Sequence, residues 1–343
     1  MSIGGSGGGE LPVVSVVFLA YNRREQLLRA LEQMLSHGVY PETRLEVLVV
    51  DNASDDGTAD AVRDAFPSVR LVHNDENLGA PGWNAGFALA QGDYVLILDD
   101  DAYVRPGDLE RAVHAAEAER AGLVSFSVVS SFEDPRRFND DFQTGLLSYW
   151  GCAALISREA LRSLGGYDPR IFIWANEVEL TIRLLDRGFR HLHLPTVHAV
   201  HMKKRPVGWN RHAYLVNARH HAYVAAKLLR PVDLVAVELN LIQQAVVDAL
   251  LKDPLVRTSV KEVSVGCFAG LRRRAPVRPI VYSAYRRNFH AFAGPWPFTR
   301  SLRERLASRR DRAIVTTQRR TRNARWYSER ARYYPTEPAS LQL

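Results

Sequence analysis

Three consecutive carboxylates, Asp99, Asp100 and Asp101, interrupt the segment YVLILDDDAYVR directly after the apolar run Tyr94–Leu98. The run is short, rich in β-formers and preceded by Gly92-Asp93, which reads as a strand buried on both faces. Unpaired charges are too costly to bury. The three aspartates therefore belong where the strand leaves its sheet, in the crevice at its carboxyl end where open α/β sheets bind ligands. Neighbouring carboxylates repel unless a cation lies between them. Asp99 and Asp101, the first and third, can turn the same way and hold one divalent metal, with diphosphate oxygens completing the shell. The alternative is an acidic turn capping a helix that starts at Pro106-Gly107-Asp108.

The elements around this turn follow from hydrophobic pattern. Val13–Leu19 is a continuous β-branched run, read as a first buried strand, followed by Ala20-Tyr21-Asn22-Arg23. Leu27, Leu28, Leu31, Met34 and Leu35 form a helical stripe over residues 24–37. Leu45–Val50 is a second strand, ending at Asp51-Asn52. Helix 59–66, strand 69–73, a loop opened by Asn77-Leu78-Gly79 and helix 82–90 lead into the Asp99 strand. Strands separated by helices predict an α/β fold with a parallel, doubly wound sheet. Its carboxyl edge then gathers an aromatic ring (Tyr21), a carboxylate able to accept from a base or a ribose (Asp51) and the acidic run. That combination suits a nucleotide diphosphate. The chain has no G-x-G-x-x-G after its first strand and no G-x-x-x-x-G-K-[ST]. Neither a dinucleotide cofactor nor a P-loop is supported, and phosphate charge falls to a metal.

With 46% hydrophobic and 24% charged residues over 343 positions, the chain is globular and long enough for one large α/β domain and an appendage, or for two domains. Two cysteines set no disulfide framework, which points to a reducing, cytoplasmic compartment. No run of about 18 uninterrupted apolar residues occurs, so no transmembrane helix is expected. Residues 251–343 hold 21 Lys+Arg against 6 Asp+Glu, while residues 1–250 hold 24 against 32. A mildly acidic body with a strongly basic C-terminal quarter calls for an anionic partner for that quarter.

The order VSVVFLAYNR, VVDNASDDGT, NLGAPGWNAG, LDDDA and FIWANEVELTIRLLDRGFR resembles the family 2 glycosyltransferases over roughly residues 13–225. The resemblance implies a GT-A fold, a nucleotide-diphosphate sugar donor, an acceptor hydroxyl and inversion at the anomeric carbon. It places Asp51 at the nucleobase, with Ala20, Tyr21, Asn22 and Arg23 shaping the same pocket. Asp100 falls near the ribose, and Asp99 and Asp101 become the arms of a DxD site for Mn²⁺ or Mg²⁺. Asn77 and Asn84 are read either as donor contacts or as turn and helix caps. Trp150 and Trp174 are candidates for a flat face against sugar or acceptor, or simply for core. The family's Glu-Asp-x-Asp appears here as Asn176-Glu177-Val178-Glu179. The matching base is Glu177, one methylene longer than usual, while Glu179 is expected only to place charge at the start of helix 180–187. His201, in PTVHAVHMKK, resembles the histidine that completes the metal shell in the galactofuranosyl-transferring branch; His198 is the weaker candidate.

The expected organisation is a flexible segment 1–12, a GT-A domain 13–225 and a helical, basic extension 226–343. In that extension Val232–Leu251 reads as a helix, and arginines alternate with Phe289, Phe292, Trp296, Trp326 and Tyr327. Such a mixture suits an anionic membrane surface, placing the protein peripherally at the inner face, or a diphosphate lipid. A solvated extension and a homo-oligomer contact are the plainer alternatives. The acceptor is read as a glycan, a glycolipid or a polyprenyl-diphosphate sugar. Two rival functions are weaker. A sugar nucleotidyltransferase lacks its glycine-rich basic loop here, and a nucleic-acid-binding module conflicts with the acidic crevice.

Overall fold

The computed structural model describes residues 10–129, 149–202, 211–231 and 256–281. Strands β1 (Val14–Ala20), β2 (Leu45–Asp51), β3 (Arg70–His73) and β4 (Tyr94–Asp99) are mutually parallel. They are joined through α1 (Arg24–Ser36), α2 (Thr58–Ala65) and α3 (Trp83–Leu89). A tight turn leads from β4 to β5 (Ala102–Val104), and α4 (Asp108–Glu119), β6 (Ala121–Val129), β7 (Ala153–Ser157) and α5 (Arg158–Leu164) follow. Then come α6 (Asn176–Asp186), β8 (Arg190–His201), α7 (Arg211–Leu228) and α8 (Val256–Leu271). The strands form one sheet in the order β3-β2-β1-β4-β7-β6-β8-β5.

The mainly parallel sheet expected from the sequence is observed, in β1 to β4 and again between β6 and β8, with antiparallel pairs added. β7 runs antiparallel to both β4 and β6, and β5 runs antiparallel to β8. The sheet is therefore mixed. Central strands alternate between two apolar layers: Leu96 and Leu98 face one cluster with Phe18, while Val95 and Ile97 face the other with Val17. Burial on both faces explains why β1 and β4 read as continuous apolar runs rather than alternating ones.

A third cluster joins α6 to α7 through Ile171, Val178, Ile182, Tyr223, Val224 and Leu228. On its other side α7 receives α8. A Cβ on Gly266 would stand 2.1 Å from the Arg219 carbonyl, and one on Gly270 would stand 2.4 Å from that of Tyr223. Only glycine permits that approach. The expected boundary at 225 thus falls inside α7, whose packing continues to Leu229. The expected helix Val232–Leu251 and the arginine-aromatic series from Arg286 onward lie outside the described residues. Among the described residues no helix is long and apolar enough to cross a membrane.

Candidate active site

Parallel register sets the first part of the site. Ala20 pairs with Asp51 and Leu19 pairs with Asp99, so β1, β2 and β4 end side by side at their carboxyl edge. Ala20 is fully buried and its carbonyl accepts from Asn52 N–H at 2.8 Å, so it shapes this edge only through backbone. Tyr21 is exposed beside it. Asn22 adopts φ 53°, donates its N–H to Ser54 Oγ and accepts from Asp55 N–H, tying the β1 and β2 loops together.

Asp51 lies deeper than a residue on an open crevice rim. It is 1% exposed; Oδ1 accepts from Ser54 N–H, and Oδ2 lies 3.1 Å from His73 Nδ1. Any substitution there removes buried hydrogen bonds as well as a ligand contact. Asn52, which the sequence reading passed over, organises the neighbouring loop. Its Oδ1 accepts from Asn74 Nδ2 and Leu78 N–H, while its Nδ2 donates to Asn77 Oδ1. Its only sequence signal was an asparagine at the strand's end. Asn77 also accepts from Gly79 N–H, so it acts within the turn. Asn84 donates to the Tyr167 carbonyl and accepts from Tyr167 N–H, committing its amide to the Gly166-Tyr167 backbone.

The acidic run turns as its composition demands. Asp99 ends β4 partly exposed; Asp100 and Asp101 are buried with their charge met by Arg23, whose guanidinium donates to Asp100 at 3.1 Å and Asp101 at 3.0 Å. Burial pushes Asp100 up to about 7 even though Arg23 pulls it down, with Asp99 and Asp101 adding repulsion. From the far side, β8 delivers His201 by pairing it with Ala102. His201 Nε2 lies 2.9 Å from Asp101 and 3.6 Å from Asp99. Ligand atoms of Asp99, Asp101 and His201 all lie within 4.8 Å of one another, a span one ion bridges with bonds of roughly 2.0–2.6 Å. Two carboxylates and an imidazole suit a divalent ion such as Mn²⁺. Burial would lower the imidazole, but Cys152, Asp101 and Asp99 outweigh it and push His201 up to about 11, the mark of a strongly negative setting. His198 is turned away, donating its N–H to the buried Asp108.

Glu177 lies in the first turn of α6, because the helix begins at Asn176, earlier than its sequence pattern suggested. Its carboxylate packs on Gly151, where a Cβ would stand 2.3 Å from Oε1. Burial pushes Glu177 up to about 7, and the charge of Asp99 adds to the shift against opposing hydrogen bonds. A carboxylate that titrates near neutrality suits a general base. The chain reaches Glu177 through Trp174 and Ala175, two consecutive non-glycine residues at φ 58° and 60°. Each such residue costs about 1–3 kcal/mol and persists only where the surroundings impose it. Here the Phe172 carbonyl accepts from Ala80 N–H at 2.7 Å, and the Ile173 carbonyl lies 2.6 Å from His220 Nδ1. Trp174 is half-buried in this loop, whereas Trp150 packs against the core beneath β1 and β4. Replacing Gly151 with Ala should displace the Glu177 carboxylate and lower kcat by about 10²-fold. Steady-state kinetics checks this; an unchanged kcat means the carboxylate needs no such seat.

Glu179 lies in the first turn of α6, as expected, but it is also fully buried. Arg183 grips it with two hydrogen bonds of 2.7 Å, and Lys227 Nζ donates to it at 2.7 Å. Lys227 also reaches Asp168 at 2.7 Å, and Tyr223 donates to that same carboxylate. Two cations thus hold Glu179, while Glu177, two residues earlier, packs on Gly151 and feels the charge of Asp99.

The comparisons agree with this frame. The family model described as Glycosyl transferase family 2 matches residues 15–165. The chain is 25% identical over 258 residues to the N-acetylglucosaminyl-diphospho-decaprenol L-rhamnosyltransferase of Mycobacterium tuberculosis, covering 62% of this chain and 81% of that one. It is 39% identical over 119 residues to the succinoglycan biosynthesis protein ExoO of Rhizobium meliloti, covering 33% of this chain and 32% of that one. In fold it is similar to the mannosyltransferase PcManGT of Pyrobaculum calidifontis, solved with GDP-Man and Mn²⁺. The TM-score is 0.55 at 22% identity, over 94% of this chain and 84% of that one. The family 2 glycosyltransferase model matches the stretch that carries Asp51 and Asp99, the relatives are glycosyltransferases, and the fold is that of a GT-A enzyme, so residues 15–165 are similar to the family 2 glycosyltransferases.

Proposed function

We propose that the protein is an inverting, metal-dependent glycosyltransferase that moves a sugar from a nucleotide-diphosphate donor to an acceptor hydroxyl. The observation that carries this reading is the convergence of Asp99, Asp101 and His201 within 4.8 Å, with Asp99 close enough to raise Glu177. Asp51 receives the nucleobase, Asp100 lies toward the ribose, and the Tyr21–Arg23 loop closes the same side. Asp99, Asp101 and His201 would hold a divalent cation, Mn²⁺ or Mg²⁺. When bound, the cation supplies charge neutralisation for the departing diphosphate, worth several kcal/mol of barrier. Glu177 accepts the proton of the acceptor hydroxyl. The oxygen forms its bond to the anomeric carbon from the face opposite the leaving group, whose carbon–oxygen bond breaks as the nucleoside diphosphate departs. One displacement inverts the configuration. Trp174, in the strained loop before the base, offers a flat face to the acceptor.

The rhamnosyltransferase relative is named for a diphospho-decaprenol acceptor, and this supports a lipid-linked saccharide as the acceptor here. The test begins with the cation. In calorimetric titration, His201→Ala should weaken Mn²⁺ binding by roughly tenfold or more, since even second-shell changes cost that much. Chelator should abolish transfer and added Mn²⁺ or Mg²⁺ restore it. Full transfer in excess chelator would remove the metal from the mechanism.

A further inference from the structure

Away from the acidic cluster, α8 presents an apolar face to solvent. Val260, Val265, Phe268 and Leu271 are all exposed, Phe268 by 59%. Their spacing puts them on one side of the helix, opposite Gly266 and Gly270, which pack on α7. The face ends in a cavity of about 430 Å³ lined by Arg170, Val265, Phe268, Ala269, Arg272 and Arg273. Three arginines and three apolar residues therefore share the lining of this depression.

Those arginines differ from their neighbours. Arg183, Arg219, Arg274 and Arg278 all spend their guanidinium groups on carboxylates or carbonyls. Among the described residues the side chains of Arg170, Arg272 and Arg273 have no ion pair or hydrogen bond. The Arg272 guanidinium instead lies 4.2 Å above the Phe268 ring, which pre-orients it beside the apolar face. Guanidinium groups bind phosphate oxygens as a planar fork. Exposed Phe and Leu side chains beside arginines on one surface combine an apolar contact with phosphate-binding groups, the pairing that an anionic lipid interface accepts. The chain's own C-terminal segment is a poor occupant, because residues 282–343 carry 14 basic against 4 acidic residues and would be repelled.

We infer that this face of α8 docks on an anionic phospholipid bilayer, with Arg170, Arg272 and Arg273 holding lipid phosphates and Phe268 and Leu271 entering the acyl boundary. The inference rests on the proposed reading of a membrane-linked acceptor, but vesicle binding is measured without any transfer. It puts the surface seven residues before Glu177 in sequence, since Arg170 belongs to the loop that leads to the base.

Full-length protein is sedimented with phosphatidylcholine vesicles and with vesicles containing one quarter phosphatidylglycerol. Binding should require phosphatidylglycerol, and the triple variant Arg170→Gln, Arg272→Gln, Arg273→Gln should lower partition by tenfold or more. Three surface cations together contribute on the order of a hundredfold. Phe268→Trp should report insertion locally, with its added fluorescence quenched by brominated phosphatidylglycerol. Partition within twofold of the parent in the triple variant, or no added quenching from Phe268→Trp, overturns the inference in favour of the basic C-terminal segment as anchor. A dimer in sedimentation velocity that the triple variant dissolves, with vesicle binding intact, overturns it in favour of an interface between copies. Unchanged Tm and donor hydrolysis in the triple variant confirm that its loss is one of docking. If the parent itself hydrolyses no nucleotide sugar, the transferase reading fails while the vesicle result still decides this one.

Discussion

Glu177→Gln is expected to lower sugar transfer by about 10²–10⁴-fold, the contribution of a positioned general base, while donor and cation binding persist. Glutamine keeps the shape against Gly151 but takes no proton. In the parent, the pH profile should carry the same signature. As the proposed base, Glu177 would act only when ionised, so kcat/KM should rise with pH through a pKa of about 7 and the limb should vanish in the glutamine variant. Stability runs the other way. A carboxyl raised from 4.5 to about 7 in the folded state contributes stability that is fully present below pH 4.5 and is lost as pH rises through 7. The active form is thus the less stable one. Glu177→Asp, the residue usual in the family, withdraws the carboxylate by one methylene, and activity should fall less than with Gln. Near-parent transfer by Glu177→Gln would give the base role to another residue.

The second large effect falls on stability rather than chemistry. Lys227→Met should cost about 3–5 kcal/mol, because it removes one partner from a buried ionic network and leaves Asp168 and Glu179 facing each other. At this size that is a fall in Tm of roughly 4–7 °C. Glu179→Gln should be destabilising in the same way, since it strips Arg183 and Lys227 of the charge they share. Paired with Glu177→Gln, these variants separate two acidic residues only two positions apart: one should cost turnover at nearly constant Tm, the other Tm first. Thermal melts on the purified variants decide it. A Tm within 2 °C of the parent for Lys227→Met would show that the network carries little of the α6–α7 contact.

Much of the site was legible because its residues lie where apolar runs stop. Asp51 and Asp99–Asp101 follow strands buried on both faces, and a charge at that position has one exit, the carboxyl edge of the sheet. Motif order then supplied the family, and with it the roles expected of Glu177 and His201. What the sequence by itself determined was this line of strand ends, the absence of a glycine-rich phosphate loop and the charge imbalance between body and tail. Tertiary structure decided the rest, because it depends on partners far apart in the chain. Glu179 meets Lys227 across 48 residues and becomes an anchor as well as a charge in the first turn of α6. Asn84 meets Tyr167 across 83 residues, and its amide goes to a turn. Asp51 is sealed by His73 only because β2 and β3 pair in a register that sets them side by side. His201 comes within 2.9 Å of Asp101 only because β8 runs antiparallel to the short strand β5 directly after the acidic turn. Local pattern fixes where a strand ends; which distant side chain meets it there is set by sheet order and helix packing.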